Sequence, residues 1–249
     1  PSAGGSNILA AMRYNTTGVQ NVAVGSGALM ANTTGSYNHG IGVQALQACT
    51  TGEKNIAIGH NSMYHTTTGD RNTAVGNYCM ADGACTGDNN SCYGDNAGRE
   101  MTSGYSNTFI GRQAGYNITT GYYNATLGIN AGYDLTGGVN NVLIGLSAGR
   151  SSSPSGILQT ASNKVVIGNN DITTSYVKVD WTVTSDRRDK TDIEPFNHGL
   201  SWINRLKPVT YRWDNRSFYD NGIPDGSKKQ SKLNVGLIAQ DEIEVEKEH

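Results

Sequence analysis

The stretch TTGVQNVAVGSGAL at residues 16–29 decides the fold, because variants of it recur along most of the chain. TTGSYNHGIGVQAL follows at residues 33–46, and TTGEKNIAIGHNSM follows at residues 50–63. One Asn marks each unit and recurs every 17 residues, with a single spacing of 18, at positions 21, 38, 55, 72, 90, 107, 124 and 141. A fixed period of this kind indicates a repeat architecture in which each unit stacks on its neighbours.

Each unit has room for one short strand between two glycines. Gly lies three residues before each marking Asn and again four residues after it. A unit of 17 residues is too short for two helices and a turn, and Gly, Asn and Thr are poor helix formers. The sequence therefore predicts a mostly β protein: a parallel β-roll or β-helix of 17-residue coils over residues 1–168, with a looser ninth coil at residues 163–168.

Two columns of side chains follow from stacking such coils. The Asn column predicts a ladder of side-chain amides about 4.8 Å apart along the axis. The Ala column predicts a wall that admits only small side chains, at positions 28, 45, 97, 114, 131 and 148. About three inward apolar residues per coil make a thin core, so we expect several copies, most simply three, to pack side by side.

Composition excludes several classes of function. The net charge of −2 gives no electrostatic reason to expect a nucleic-acid partner. The sequence has no apolar run long enough for a spanning helix, so membrane insertion is not expected. The cysteine spacings match no zinc pattern, and we expect neither a metal nor a cofactor. Two interpretations of the cysteines stay open: a disulfide among Cys79, Cys85 and Cys92, or small buried thiols.

Two residue types in the coils bear on binding. Acidic residues look scattered singly rather than gathered in a column, so the carboxylate pair of a glycosidase is not expected. Tyrosines gather in the later coils, just before the marking Asn or just after the Ala column, at positions 105, 116, 122, 123 and 133. Tyr105, Tyr116, Tyr122, Tyr123 and Tyr133 are either a contact surface for a receptor or a glycan, or filling between copies of the chain.

The composition changes sharply near Ser185. The chain has 21 Asp and Glu and 19 Lys and Arg, of which 23 fall in residues 185–249, whereas 28 of its 32 glycines come earlier. We therefore expect a connector at residues 169–184 and a separate α/β domain at residues 185–249. Its predicted elements are a helix capped by Asn197 and ended by Pro208, two strands at residues 209–213 and 234–239, and an acidic helix from Gln240.

Two resemblances attach to these motifs. The N-x-A-I-G-x-x-A coils of residues 15–168 resemble the head domains of trimeric autotransporter adhesins and the repeat shafts of phage tail fibres. The motifs SDRRDKTDIEP, LSWINRLKPVTYRW and VGLIAQDEIE, in this order, resemble the self-cleaving intramolecular chaperone of phage tail fibres and endosialidase tailspikes. That family implies a C-terminal domain that helps a trimeric β-rich fibre to assemble and then cuts itself off before its first serine.

The chaperone resemblance also implies a serine–lysine dyad. By position, Ser185 is the nucleophile, Lys190 is its general base and Asp186 is a supporting residue. The bond cut is Thr184–Ser185. A neutral lysine can accept the serine proton when burial lowers its pKa. Asp189 stands where the family usually has leucine, and a carboxylate there favours the charged ammonium, which opposes catalysis.

These observations predict a segment of a viral tail fibre or tailspike. It forms a homotrimeric, extracellular rod on the virion, contacts a host receptor or glycan, and catalyses only the cleavage of its own chain. Because the family continues into a long helix, we expect the chaperone domain to be truncated at His249. The alternative is a bacterial trimeric surface adhesin whose assembly domain does not cut.

Overall fold

The computed structural model describes residues 10–177, 205–214 and 223–238. The chain divides into two compact units, Pro1–Ser175 and Tyr176–His249. The described residues of both units contain β-strands and turns and no α-helix.

The first unit is a β-solenoid, as the repeat predicts. Its strands pair in parallel and in chain order, so each coil lies on the next. Every strand has three residues: β1 Val22–Val24, β2 His39–Ile41, β3 Ile56–Ile58, β4 Thr73–Val75, β5 Ser91–Tyr93, β6 Thr108–Ile110, β7 Ala125–Leu127, β8 Val142–Ile144 and β9 Val165–Ile167.

The predicted Asn ladder is present and is stronger than amide stacking alone. The Oδ1 of Asn55 accepts a hydrogen bond from the backbone N–H of Asn72 at 2.9 Å, one coil further on. The Nδ2 of Asn72 donates to the carbonyl oxygen of Gly87 at 2.8 Å. The column from Asn38 to Asn141 is buried. Because each amide bonds the main chain of the next coil, the column fixes the register of the stack.

The two glycines of each coil meet different requirements. Gly59, which directly follows β3, has a φ of +133° and lies against the next coil, where an added Cβ would be 2.5 Å from the carbonyl oxygen of Gly76. Gly52, before the marking Asn, needs no unusual φ, yet its Cβ would meet the carbonyl oxygen of Gly69 at 2.6 Å. Both positions therefore exclude side chains through close approach of backbones, and only the strand-ending position also requires a left-handed φ.

Non-glycine residues make most of the corners, which the sequence did not predict. In the second coil Tyr37, Gln44 and Leu46 have φ values of +63°, +61° and +54°. Such values are uncommon outside glycine. The stacked hydrogen bonds hold these corners, as where the N–H of Gln44 donates to the carbonyl oxygen of Ser26 at 2.8 Å.

The core confirms the predicted count of about three inward apolar residues per coil. In the sixth coil these are Phe109, Ala114 and Ile118, all fully buried. The central residue of each strand points inward and packs against a corner residue. Where one of the two is large, the other is small. A Cβ on Gly40 would lie 3.3 Å from Leu29, and one on Gly115 would lie 2.9 Å from the Phe109 ring.

The second unit contains an antiparallel pair, β10 Val209–Tyr211 and β11 Asn234–Gly236. Both strands were predicted, with somewhat longer bounds. The N–H of Gln230 donates to the carbonyl oxygen of Trp213 at 2.8 Å and extends the pairing. The helix predicted from Asn197 lies outside the described residues as far as residue 204, and the acidic helix from Gln240 lies wholly outside them.

Candidate functional site

The outer face of the parallel sheet is an apolar surface that we call the outer stripe. It is formed by the first and third residues of the strands, which flank the inward central residue. Leu127 is 48% exposed and Ile110 is 41% exposed. Its exposed apolar members are Val22, Val24, Ile41, Ile58, Tyr93, Ile110, Leu127, Ile144, Val165 and Ile167. A stripe this long on one face is the signature of an interaction surface rather than of scattered exposed residues.

A shallow groove of about 220 Å³ lies within the outer stripe, in its C-terminal half. Small residues at the first strand position open it, namely Thr108 and Ala125, and the side chains of Ile110, Leu127 and Ile144 border it. Such a groove is a depression in the apolar surface into which side chains of another molecule can pack.

The five tyrosines fall into two groups on different walls of the coil. Tyr105, Tyr122 and Tyr123 lie just before the strands and form the first group, which we call the tyrosine cluster. The rings of Tyr105 and Tyr122 stack at 4.6 Å and 6°. The ring of Tyr123 stands edge-on to both, at 5.5 Å and 5.2 Å. Partial burial raises the pKa of the Tyr105 hydroxyl, and neighbouring Tyr123 and Tyr122 add to the rise.

Tyr116 and Tyr133 form the second group, just after the Ala column. Their rings stack at 4.9 Å. Arg99 lies 5.8 Å from the Tyr116 ring and Arg150 lies 4.6 Å from the Tyr133 ring, so a guanidinium covers each end of the stack. Arg150 is itself paired with Asp134 at 3.2 Å. This column is closed by its own chain, which favours the packing interpretation for these two tyrosines.

The expectation that no column repeats a carboxylate is wrong. Glu53, Asp70 and Asp88 occupy the same position, two residues before the marking Asn, in three successive coils. The Oδ1 of Asp70 accepts the backbone N–H of Glu53 at 2.8 Å, and the Oδ1 of Asp88 accepts that of Asp70 at 2.8 Å. The two aspartates therefore bond the main chain of the preceding coil, as Ser36 does for Val19 at 3.1 Å.

All four cysteines are free and buried, which decides between the two interpretations left open. Burial raises the pKa of Cys49 to about 12 and that of Cys85 to about 11. Burial also raises the pKa of Cys92, and the neighbouring Cys79 adds to the rise. The Sγ of Cys79 lies 3.3 Å from the carbonyl oxygen of Cys92, within a weak hydrogen bond. These thiols are small core residues.

The predicted catalytic residues lie outside the described part of the chain. This holds for Thr184, Ser185, Asp186 and Lys190, and for Asp189. Their roles therefore stay predictions. Within residues 10–177, 205–214 and 223–238 no group of three His, Cys, Asp or Glu side chains is placed to hold a metal ion. The same residues include no helix that could span a membrane.

The fold and the outer stripe place this protein in the class of repeat proteins whose solenoid exposes a continuous apolar stripe. Comparison with known families then adds the C-terminal part, because residues 185–249 match the family model described as chaperone of endosialidase. Neither the curated proteins nor the solved structures gave a match to the chain. The family match and the β-solenoid together fit a tail fibre with a C-terminal chaperone domain.

Proposed function

We propose that the chain is a segment of a viral tail fibre or tailspike, in which a homotrimeric rod contacts the host and a C-terminal chaperone assembles it. The rod is residues 1–168, the connector residues 169–184 and the chaperone residues 185–249. The observation that carries the proposal is the match of residues 185–249 to the chaperone of endosialidase behind a β-solenoid. The rod acts outside the cell, as part of the virion.

The outer stripe supports assembly from several copies. Burying apolar surface stabilises by about 25 cal/mol per Å², so a stripe of Val, Ile and Leu along nine strands is costly to leave in water. Copies of the same chain are the natural cover, because each presents the same stripe at the same spacing. Three copies around one axis bring all stripes inward and leave none exposed.

The topology explains why such a rod needs an assembly domain. Stripes on three chains must meet in one register, and few contacts form before that register is set, so nucleation is slow and exposed to aggregation. A domain that trimerises by itself fixes the register at one end. Its later removal leaves a rod that cannot easily re-register after unfolding and is therefore kinetically trapped.

Removal is the one reaction proposed for this chain. Ser185 attacks the carbonyl carbon of Thr184 while Lys190 takes the serine proton. The peptide C–N bond breaks as Lys190 passes that proton to the Ser185 amino group, which leaves an ester between Thr184 and the Ser185 hydroxyl. Water then hydrolyses this ester and parts the chain at Thr184–Ser185, with Asp186 supporting the loop. Asp189 opposes this chemistry by favouring a charged Lys190. A bacterial surface adhesin with the same rod and a non-cleaving assembly domain is the second candidate, and the unusual Asp189 favours it.

Cleavage is tested by the mass of the denatured chain. We expect wild type to give two fragments that meet at Thr184–Ser185, and Ser185→Ala and Lys190→Ala each to give the uncut chain. Ser175→Ala, ten residues upstream, is the matched control and should cut normally. An uncut wild type would favour the adhesin, and cutting in Lys190→Ala would remove that lysine from the mechanism.

A further inference from the structure

We propose that Tyr105, Tyr122 and Tyr123 form a carbohydrate-binding platform for neutral sugar rings on the side wall of the rod. The inference rests on the proposed function, since it names the chemistry of the host contact. It assigns no such role to Tyr116 and Tyr133, whose stack is closed at both ends by Arg99 and Arg150.

The wall that carries the tyrosine cluster faces water. The two positions before the marking Asn hold Glu53 and Lys54 in the third coil and Asp70 and Arg71 in the fourth. Charged side chains are depleted from the buried centre of protein interfaces. A wall with charges at this register in two successive coils is therefore unsuited to packing between copies. The tyrosines stand on the same wall, two to three coils further on, and so stay accessible in the assembled rod.

The cluster presents aromatic surface in a defined shape. Tyr123 is 57% exposed and Tyr105 is 37% exposed. The parallel pair Tyr105–Tyr122 and the perpendicular Tyr123 form a corner with two differently oriented surfaces. The main chain holds this corner rigidly, because the N–H of Tyr123 donates to the carbonyl oxygen of Tyr105 at 3.3 Å.

The surroundings select an uncharged ligand with polar edges. At the same register the sixth coil carries Ser106 and the eighth coil carries Val139 and Asn140, and none of the three is charged. The fifth coil carries Asp88, whose Oδ1 already accepts the backbone N–H of Asp70 and whose negative charge disfavours an acidic ligand. Aromatic faces are electron-rich and attract the slightly positive C–H groups of a sugar ring. The tyrosine hydroxyls and the Oδ1 of Asn140, whose Nδ2 already donates to the Oδ1 of Asn163 at 2.9 Å, supply hydrogen bonds for the sugar hydroxyls. A purely apolar ligand would leave these polar groups unused.

The variants for the test are chosen from residues that the chain already uses at the same register. Tyr123 has a φ of +57°, which Asn tolerates, and Asn89 and Asn140 occupy the equivalent corners. Tyr123→Asn and Tyr122→Ser, the latter matching Ser36, remove cluster rings without straining the coil. Tyr116→Gln, which matches Gln47, is the control in the closed column.

The test is binding of the full chain to an array of neutral bacterial surface polysaccharides, with polygalacturonate as the acidic comparison. We expect wild type to bind at least one neutral polymer and to bind polygalacturonate more weakly. Tyr123→Asn and Tyr122→Ser should each weaken binding roughly three- to tenfold, the worth of one aromatic contact. Tyr116→Gln should bind within about twofold of wild type.

Light scattering on the same samples separates the two proposals. If the cluster variants lose copies from the particle, the tyrosines pack between chains and the platform is overturned, while the assembled rod stands. If wild type binds no neutral polymer, or Tyr116→Gln loses as much binding as Tyr123→Asn, the platform is also overturned. If wild type is a single chain but binds sugar through the cluster, the homotrimer is wrong and the platform stands.

Discussion

At the scale of residues, the buried amides of the Asn ladder specify this rod, because each one hydrogen-bonds the main chain of the next coil. The Oδ1 of Asn107 accepts the N–H of Asn124 at 3.0 Å, and its Nδ2 donates to the carbonyl oxygen of Gly121 at 2.8 Å. Both main-chain partners are on the next coil. An apolar residue of the same size would leave these partners unbonded, which explains why a thin core carries a column of amides.

Asn107→Ala should destabilise the rod by about 2–4 kcal/mol, because it strands two main-chain groups away from water. Asn117→Ala, on a half-buried corner outside the ladder, should change the free energy of unfolding by about 0.5 kcal/mol or less. Urea denaturation followed by circular dichroism measures both. Equal effects of the two substitutions would contradict a special role for the ladder.

The four thiols should be unreactive in the native protein at pH 8. With pKa values of about 12 and about 11, Cys49 and Cys85 keep on the order of one thiolate in a thousand or fewer at that pH. Ellman's reagent should titrate none natively and all four after denaturation. Because folding raises these pKa values, stability should fall as pH rises above the unfolded value of about 8.5. Fewer than four thiols after denaturation would reveal a disulfide.

At the scale of elements, each coil balances the size of its strand residue against that of its corner residue. The fourth coil combines Ala74 with Met80, and the sixth combines Phe109 with Gly115. A Cβ on Gly115 would lie 2.9 Å from three ring carbons of Phe109, closer than packing permits. The coils therefore share one backbone shape but fill its interior with different combinations of large and small side chains.

Gly115→Met should be strongly destabilising alone, because the side chain overlaps the Phe109 ring and the corner has a φ of +60°. Phe109→Ala alone should cost about 3–5 kcal/mol by leaving a cavity. The double variant recreates the Ala and Met pairing of the fourth coil. Its loss of unfolding free energy should be smaller, by at least about 1 kcal/mol, than the sum of the losses of the two single variants. Additive losses would show that the two positions do not share one space.

The sequence predicted the parts of the fold that depend on identity at a fixed period. The Asn ladder and the strand positions follow from the marking Asn and its two flanking glycines, which recur every 17 residues apart from one spacing of 18. The left-handed corners were missed because Tyr37, Lys54 and Arg71 have no common chemistry, and only the stacked hydrogen bonds define their φ. The carboxylate column was missed for a similar reason, since Ser36 and Tyr105 share its register.

The candidate surfaces were also predicted only in part. The sequence predicted which five tyrosines are candidates for binding. It did not distinguish Tyr116 and Tyr133, whose stack is covered by arginines, from the tyrosine cluster. That separation depends on Arg99 and Arg150, which lie in other coils and meet the rings only when the solenoid stacks. The serine–lysine dyad came from resemblance alone and is still a prediction.

At the scale of the whole molecule, the outer stripe links fold to assembly. A solenoid needs only one buried face per coil to stack, and this chain has a second apolar face that its own residues do not cover within residues 10–177. Residues 185–249 match the chaperone of endosialidase, which fits a tail-fibre-like assembly. We propose that copies of this chain cover one another's stripes.

Light scattering on the full chain and on Leu127→Asp tests that claim most directly. We predict three copies per particle for wild type and fewer for Leu127→Asp, because an aspartate within the outer stripe would be buried without a partner. Asn89→Asp adds the same charge at an exposed corner of the side wall and should leave three copies. A wild-type particle of one chain, or a Leu127→Asp particle with as many copies as that of Asn89→Asp, would show that the stripes do not cover one another.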